Sequence, residues 1–192
     1  MRVRGVVSLD DAPHRLLGRV LIDTTIAVDA LVESQARHRE ARGLLAQLAE
    51  QGATVAFSRL LEVELPQAIS SIAGVEAGLG RDGAQRDVRV RNRAFARTRT
   101  ALERWTAYLA SVDWVRGELA GAVDAIPAVM HATGLRSNDA LMTATAISLG
   151  CDGIATTDRQ FGRVHEQDVP TILAPRDRVA EIRGLRARAR RI

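Results

Sequence analysis

Lysine is missing altogether: all 27 basic residues of this 192-residue chain are arginine, set against 23 acids for a formal net charge of +4. That bias fits codon usage in a GC-rich genome as well as it fits a polyanionic partner, so the distribution of arginines says more than their sum. Cysteine is nearly missing as well. The lone Cys151 excludes an intramolecular disulfide framework and points to a reducing compartment. Aromatic residues number six, which leaves Leu, Val, Ile and Ala to build the core. Every apolar run is broken well before the ~20 residues that a bilayer requires, and the opening MRVRGVVSLDDAPHRLLGR lacks the apolar centre of a signal peptide. A cytoplasmic protein with no membrane span is the expectation. There is no GxGxxG stretch, Walker loop or Ser–His–Asp set. His14, His38, His131 and His165 show no ligand spacing to one another, so zinc chemistry is not expected.

What is present describes one folded unit. At 46% hydrophobic and 26% charged residues, the chain can bury a single good core, and no shift of composition marks a linker. We therefore expect a single domain over 1–192, with a core over about 19–175. The arginines gather in two patches, one between Arg81 and Arg104 and one between Arg183 and Arg191. Such patches suit phosphate, which arginine grips bidentately.

Along the chain, apolar strand-like runs alternate with helical periodicity. RVLI at 19–22 reads as a buried first strand ending at Asp23. Apolar positions 41, 44, 45 and 48 have helical spacing, and Gly52 follows as a stop. TVAF at 54–57 is β-prone. Ser58 then stands as an N-cap before a helical stripe at 61, 65, 68, 69 and 72. Pro66 is irregular there: either the helix starts nearer Glu62 or it bends. Residues 74–110 form a helical excursion with a long helix over Arg86–Leu109. VDWV at 112–115 is the third strand candidate, and Gly117–Thr133 is helical until Gly134. Ser137 can cap a helix that reaches Gly150, GIATT at 153–157 is a strand ending at Asp158, and VPTIL at 169–173 is β-prone. Residues 1–18 look like an extension outside the core, and about 176–192 form a basic tail. Alternating strands and helices imply right-handed crossovers. The fold class is thus α/β, a three-layer α/β/α sandwich on a mostly parallel sheet.

In such a sheet the functional crevice opens at the carboxyl ends of the strands. Asp23 and Asp158 each stand just past a strand. Asp139 opens a helix, where it could simply complement the macrodipole, and Asp158 could simply form an Asx turn. Glu62 and Glu64 flank the apolar stripe of their helix at similar angles, so periodicity does not choose between them.

The strings LIDTTIAVDAL, FSRLLEVEL and LRSNDALMTATAISLGCDGIATTDRQF resemble the PIN-domain ribonucleases, and especially the VapC toxins of bacterial toxin–antitoxin pairs. The resemblance spans roughly 19–73 and 112–173. It implies that Asp23, Glu64, Asp139 and Asp158 form a quartet that binds Mg²⁺ or Mn²⁺ and cleaves RNA, and its spacing from Ser58 selects Glu64 over Glu62. It also implies a VapB-like antitoxin and a homodimer. Hard carboxylate oxygens suit those cations, and carboxylates brought together repel one another unless a cation compensates. Asp23 and Asp139 are expected to bind metal directly, with Glu64 and Asp158 completing the shell or positioning water. Thr24, Ser58, Asn138 and Thr156 are placed to orient the acids, and Arg136, Arg159 and Arg163 to touch RNA. Two alternatives stay open: a PIN nuclease of RNA or DNA processing without an antitoxin, and a PIN-like scaffold that binds RNA or protein without cutting.

Overall fold

The computed structural model describes residues 6–8, 18–163, 170–175 and 178–183. His14, His165 and the arginine tail beyond 183 lie outside them, as does the side chain of Arg163. The framework is one six-stranded sheet in the order β1-β6-β5-β2-β3-β4. Its strands are β1 (Val6–Ser8), β2 (Arg19–Ile22), β3 (Thr54–Ser58), β4 (Trp114–Gly117), β5 (Gly153–Ala155) and β6 (Thr171–Ala174). Every pairing between them is parallel, so the sheet is wholly rather than mostly parallel. The interior strands β2, β3, β5 and β6 are buried along nearly their whole length, as expected of strands covered by helices on both faces.

Side-chain alternation divides the core into two. Val20, Ile22, Val55 and Phe57 face one layer, made of α1 (Thr24–Leu31), α2 (His38–Glu50), α3 (Arg59–Glu76) and α5 (Val88–Leu109). Leu21, Ala56, Ile154 and Ile172 face the other, where Ala140, Met142 and Ala146 of α8 (Ser137–Ser148) pack with Phe161 and Ile182. The layers match the three-layer α/β/α expectation. Each large side chain so buried contributes about 1.5–3 kcal/mol.

Several boundaries differ from the sequence reading, for identifiable reasons. Val6–Ser8, assigned from sequence to an extension outside the core, pairs with Ile172–Ala174 as an edge strand, and Val6 is buried. Three residues whose partners lie at the opposite end of the chain leave no local signal. The segment at 74–110 is helical, as α4 (Gly83–Arg86) and α5, yet α5 is no appendage. Trp105 and Ala101 of α5 belong to the main core, and the Trp105 ring meets Phe57 edge-on at 5.5 Å. Helix α5 begins at Val88 rather than Arg86, and Asp87 caps it by accepting from the backbone N–H groups of Arg89 and Val90. The third strand lies two residues later than VDWV. The expected 117–133 helix is split into α6 (Ala120–Val123) and α7 (Ile126–Thr133), with Pro127 in the first turn of the second and Gly134 at φ 69° closing it. Only glycine adopts that left-handed cap without penalty. Helix α3 runs through Pro66 and begins at Arg59, not near Glu62. Ser58 and Arg136 occupy the N-cap positions of α3 and α8 without a side-chain capping bond, so Ser137 is the first helical residue rather than the cap.

Candidate active site

The chain leaves β2 for β3 and β4 on one side, then crosses to β5 and β6 on the other. The switch point therefore lies between β2 and β5, and at their carboxyl ends the departing connections leave a crevice. It opens here as a cleft of about 870 Å³ whose lining includes Asp23, Glu64, Asp139 and Asp158. Four elements remote in sequence thus each bring one carboxylate to the same space.

Asp23 is the most enclosed of the four, only 9% exposed. Its backbone N–H continues the ladder to Ala155, and its Oδ2 accepts from the Thr25 hydroxyl at 2.7 Å and the Thr156 hydroxyl at 2.6 Å. Those two hydroxyls are themselves oriented. Thr25 Oγ1 accepts from the Thr157 N–H and Thr156 Oγ1 from the Asp158 N–H, so each must spend its own proton on the carboxylate. Burial raises the Asp23 pKa; the Thr156 and Thr25 bonds oppose that rise, and the charges of Glu64 and Asp158 add to it. Among the described residues no donor reaches Oδ1.

Glu64 ties three helices together. Its Oε2 accepts from the Thr24 hydroxyl of α1 at 2.7 Å and its Oε1 from the Asn138 amide of α8 at 3.3 Å. Glu62, two residues earlier, points elsewhere and pairs with Arg116 of β4 at 3.4 Å. Asp158 accepts from the Gln160 N–H at 2.8 Å in a tight turn after β5.

Asp139 sits in the first turn of α8, and no described residue donates to its carboxylate. Its pKa is pushed up to about 6, first by burial, then by the charges of Asp158 and Asp23, with Arg136 opposing and Glu64 adding a smaller push. The acids therefore feel one another. Even so, among the described residues no three His, Cys, Asp or Glu side chains are drawn together as a ready-made metal cluster. The donor set still fits a hard divalent cation. It is all oxygen, mutually repulsive, and has undonated oxygens on Asp23 and Asp139, the pattern of a cation that keeps several waters and takes few direct carboxylates.

The remaining sequence candidates divide. Thr24, Ser58 and Asn138 line the cleft, and Thr156 reaches it through Asp23. Arg136 acts on Asp139 electrostatically but does not line the cleft, and Arg159 is turned away to Glu181 at 3.0 Å. The arginines of the lining are instead Arg37 and Arg81. Thr25 and two further carboxylates of the lining, Asp29 and Glu76, also escaped the sequence reading; burial raises the Asp29 pKa against the pull of Arg37. Asp29 lies six residues past Asp23 on a short helix, and the apolar pattern of that helix carries no sign of it.

A family model described as PIN domain matches residues 20–167. With the fold and cleft described above, this places the chain plainly in the PIN domain family, a family of nucleases that generally use divalent metal ions. No curated protein matches it. Among solved structures it is similar to VapBC2 from Rickettsia felis, crystallised bound to a DNA fragment from their promoter, at 16% identity and TM-score 0.50, covering 81% of this chain and 98% of that one. It is also similar to PAE2754 from Pyrobaculum aerophilum, at 16% identity and TM-score 0.49 over 90% of this chain and 94% of that one. At such identity these likenesses concern the fold alone. Among the described residues no helix is long and apolar enough to cross a membrane.

Proposed function

We propose that this PIN nuclease is an endoribonuclease dependent on Mg²⁺ or Mn²⁺, acting as the toxin of a toxin–antitoxin pair. The observation that carries the reading is the convergence of Asp23, Glu64, Asp139 and Asp158 from four separate elements on one cleft at the switch point of the sheet. A binding scaffold for a polyanion has no use for four negative charges on that floor. A divalent cation held by these acids would supply positive charge to a phosphate being cleaved and would lower the pKa of water.

The chain's own residues do the rest. Thr25 and Thr156 fix the Asp23 carboxylate through Oδ2 and leave Oδ1 for a ligand. Thr24 and Asn138 hold Glu64 by both oxygens, which suits it to orienting a water more than to binding directly. Asp139, whose pKa is raised by burial and by its acidic neighbours and which receives no donor among the described residues, gains from a neighbouring positive charge that would hold it ionised. The VapC resemblance, and a structural neighbour solved as a VapBC assembly, support a VapB-like antitoxin as partner. A homodimer and a cytoplasmic location accompany that reading.

The test is incubation of purified protein with structured RNA. Cleavage that requires Mg²⁺ or Mn²⁺, stops with EDTA and disappears in Asp139→Asn is the expected result. Cleavage that survives chelation or that substitution overturns the mechanism. A co-expressed small neighbour protein that abolishes cleavage marks a toxin; cleavage indifferent to every neighbouring gene product marks a processing nuclease.

A further inference from the structure

The cleft is longer than its acidic floor. Glu64 lies near the start of α3 and Glu76 at its end, and both line it; at 1.5 Å per residue they stand roughly 18 Å apart along the helix. The character of the lining changes over that length. Around Glu64 it is rich in carboxylate, whereas toward Glu76 it includes Ser34, which donates to Glu76, and Arg81, whose loop lies against the end of α3.

Beyond this second end the basic surface continues on α5. At 100° per residue Arg89, Arg93, Arg97 and Arg104 fall within about 80° of arc on that helix, and they flank the buried face formed by Val90, Ala94, Ala101 and Trp105. Glu76 locates this row relative to the cleft. Its carboxylate accepts from the Ser34 hydroxyl and the Arg97 guanidinium, and with the nearby charge of Arg93 these hold its pKa below the usual range. Glu76 would repel a phosphate were it not already matched by these arginines. Arg97 and Arg104 are engaged with Glu76 and Glu33. Arg81, Arg89 and Arg93, by contrast, make no side-chain hydrogen bond or ion pair among the described residues.

We infer that Arg81, Arg89 and Arg93 form a track that binds the phosphate backbone of single-stranded RNA running out of the cleft, away from the scissile bond. The inference rests on the RNA-cleaving reading of the acidic floor and adds where the strand goes. Arginine matches phosphate geometry, and contacts of this kind position a substrate without reading its bases. An acidic protein segment is the less suited occupant, because the row carries no large apolar side chain. The exposed Val88, Phe95 and Leu102 lie roughly 140–180° around the helix from Arg93 and Arg97, and roughly 100–140° from Arg89.

The experiment measures binding without cleavage. A fluorescein-labelled single-stranded oligoribonucleotide is titrated with protein in EDTA at several salt concentrations. Arg81, Arg89 and Arg93 are changed together to Gln, and separately together to Lys. Loss of single-strand phosphate contacts lowers the slope of log affinity against log salt by about 0.7 each, so the Gln variant is expected to lose about 2 units of slope and about tenfold or more in affinity. The Lys variant should keep most of the slope, and Arg91→Gln, on the other face of α5, should keep all of it. An unchanged slope in the Gln variant, or no RNA binding by the parent protein, overturns the track. The two readings fail separately. RNA bound along the track but never cut with Mg²⁺ or Mn²⁺ sinks the nuclease reading and leaves the track standing, whereas full cleavage with an unaltered slope sinks the track alone.

Discussion

The rim of β2 and β5 and the start of α8 each bring an aspartate to the same cleft, in opposite surroundings. At the rim, Asp23 is nearly enclosed and receives two hydroxyl donors whose own orientation is set by backbone N–H groups. At the start of α8, Asp139 receives no donor among the described residues and has a pKa near 6. The rim carboxylate is built in place before any ligand arrives. The helix carboxylate is left in electrostatic debt that a cation would relieve. One floor therefore combines a fixed anchor with a responsive group, and substitutions can separate the two roles.

The largest effect is expected at the responsive side. Asp139→Asn should lower metal-dependent cleavage by about three orders of magnitude, the scale of losing a group that handles protons or charge at a reacting centre. The same change should raise the melting temperature in EDTA, because it removes a charge that burial disfavours and that Asp158, Asp23 and Glu64 repel. Glu64→Gln should also abolish most cleavage. An Asp139→Asn protein that loses activity and melts lower than its parent in EDTA would break the contrast, since Asp139 would then be structurally supported after all.

The anchor side predicts the reverse pattern. Thr156→Val deletes a donor to Asp23 and leaves the Asp158 N–H without its acceptor, which for buried groups costs about 1–3 kcal/mol. Chemical denaturation should show that loss, accompanied by weaker cleavage. Thr156→Ser, which retains the hydroxyl, should recover most of both. Equal stability of the Val and Ser variants would mean that the rim is not held as described.

The comparison also sets a pH dependence. Folded Asp139 keeps its proton up to about 6, whereas the ordinary aspartate value is 3.8. Between those values the folded chain binds more protons than the unfolded one, so stability without metal should fall as pH climbs from about 4 through 6. The raised Asp23 pKa acts in the same direction. The pH dependence of the parent minus that of Asp139→Asn, both in EDTA, isolates this contribution from the carboxylates whose pKa is lowered, such as Glu76 and Asp87; a difference that rises over this interval would contradict the burial and repulsion acting on Asp139. Mg²⁺ should stabilise the fold more at pH 8 than at pH 5, because the ionised site binds it better.

Much of this arrangement was legible in the chain because it is written locally. An apolar run stopping at Asp23, a second stopping near Asp158 and a helix opening at Asn138–Asp139 mark strand ends and helix starts by composition alone. What stayed hidden depends on tertiary partners. Strand β1 is three residues long and pairs with Ile172 to Ala174, and no local pattern announces a partner so distant. The arginines nearest the acids in sequence, Arg136 and Arg159, were natural candidates for phosphate, yet Arg159 is drawn off by Glu181. Arg37 and Arg81 reach the cleft because of where the ends of α1 and α3 arrive. Thr25 was missed for a similar reason: its function is to link a helix start to a strand end 132 residues away.

The smallest expected effect belongs to the choice between two neighbouring glutamates, and it is for that reason a sharp test. Family spacing selected Glu64, whereas helical periodicity left Glu62 equally placed. In the fold, Glu62 is 38% exposed and joined to Arg116 in a surface network that also includes Glu118 and Arg59. Ion pairs this exposed contribute little, because water screens them and two long side chains lose freedom to form them. Glu62→Gln should therefore leave cleavage at the parent level and move the melting temperature by no more than about 2 °C. The same amide substitution two residues later removes a charge held by Thr24 and Asn138. A strong loss of cleavage in Glu62→Gln would mean that the surface network positions α3, and with it Glu64, and the division between a structural edge and a functional floor would have to be redrawn.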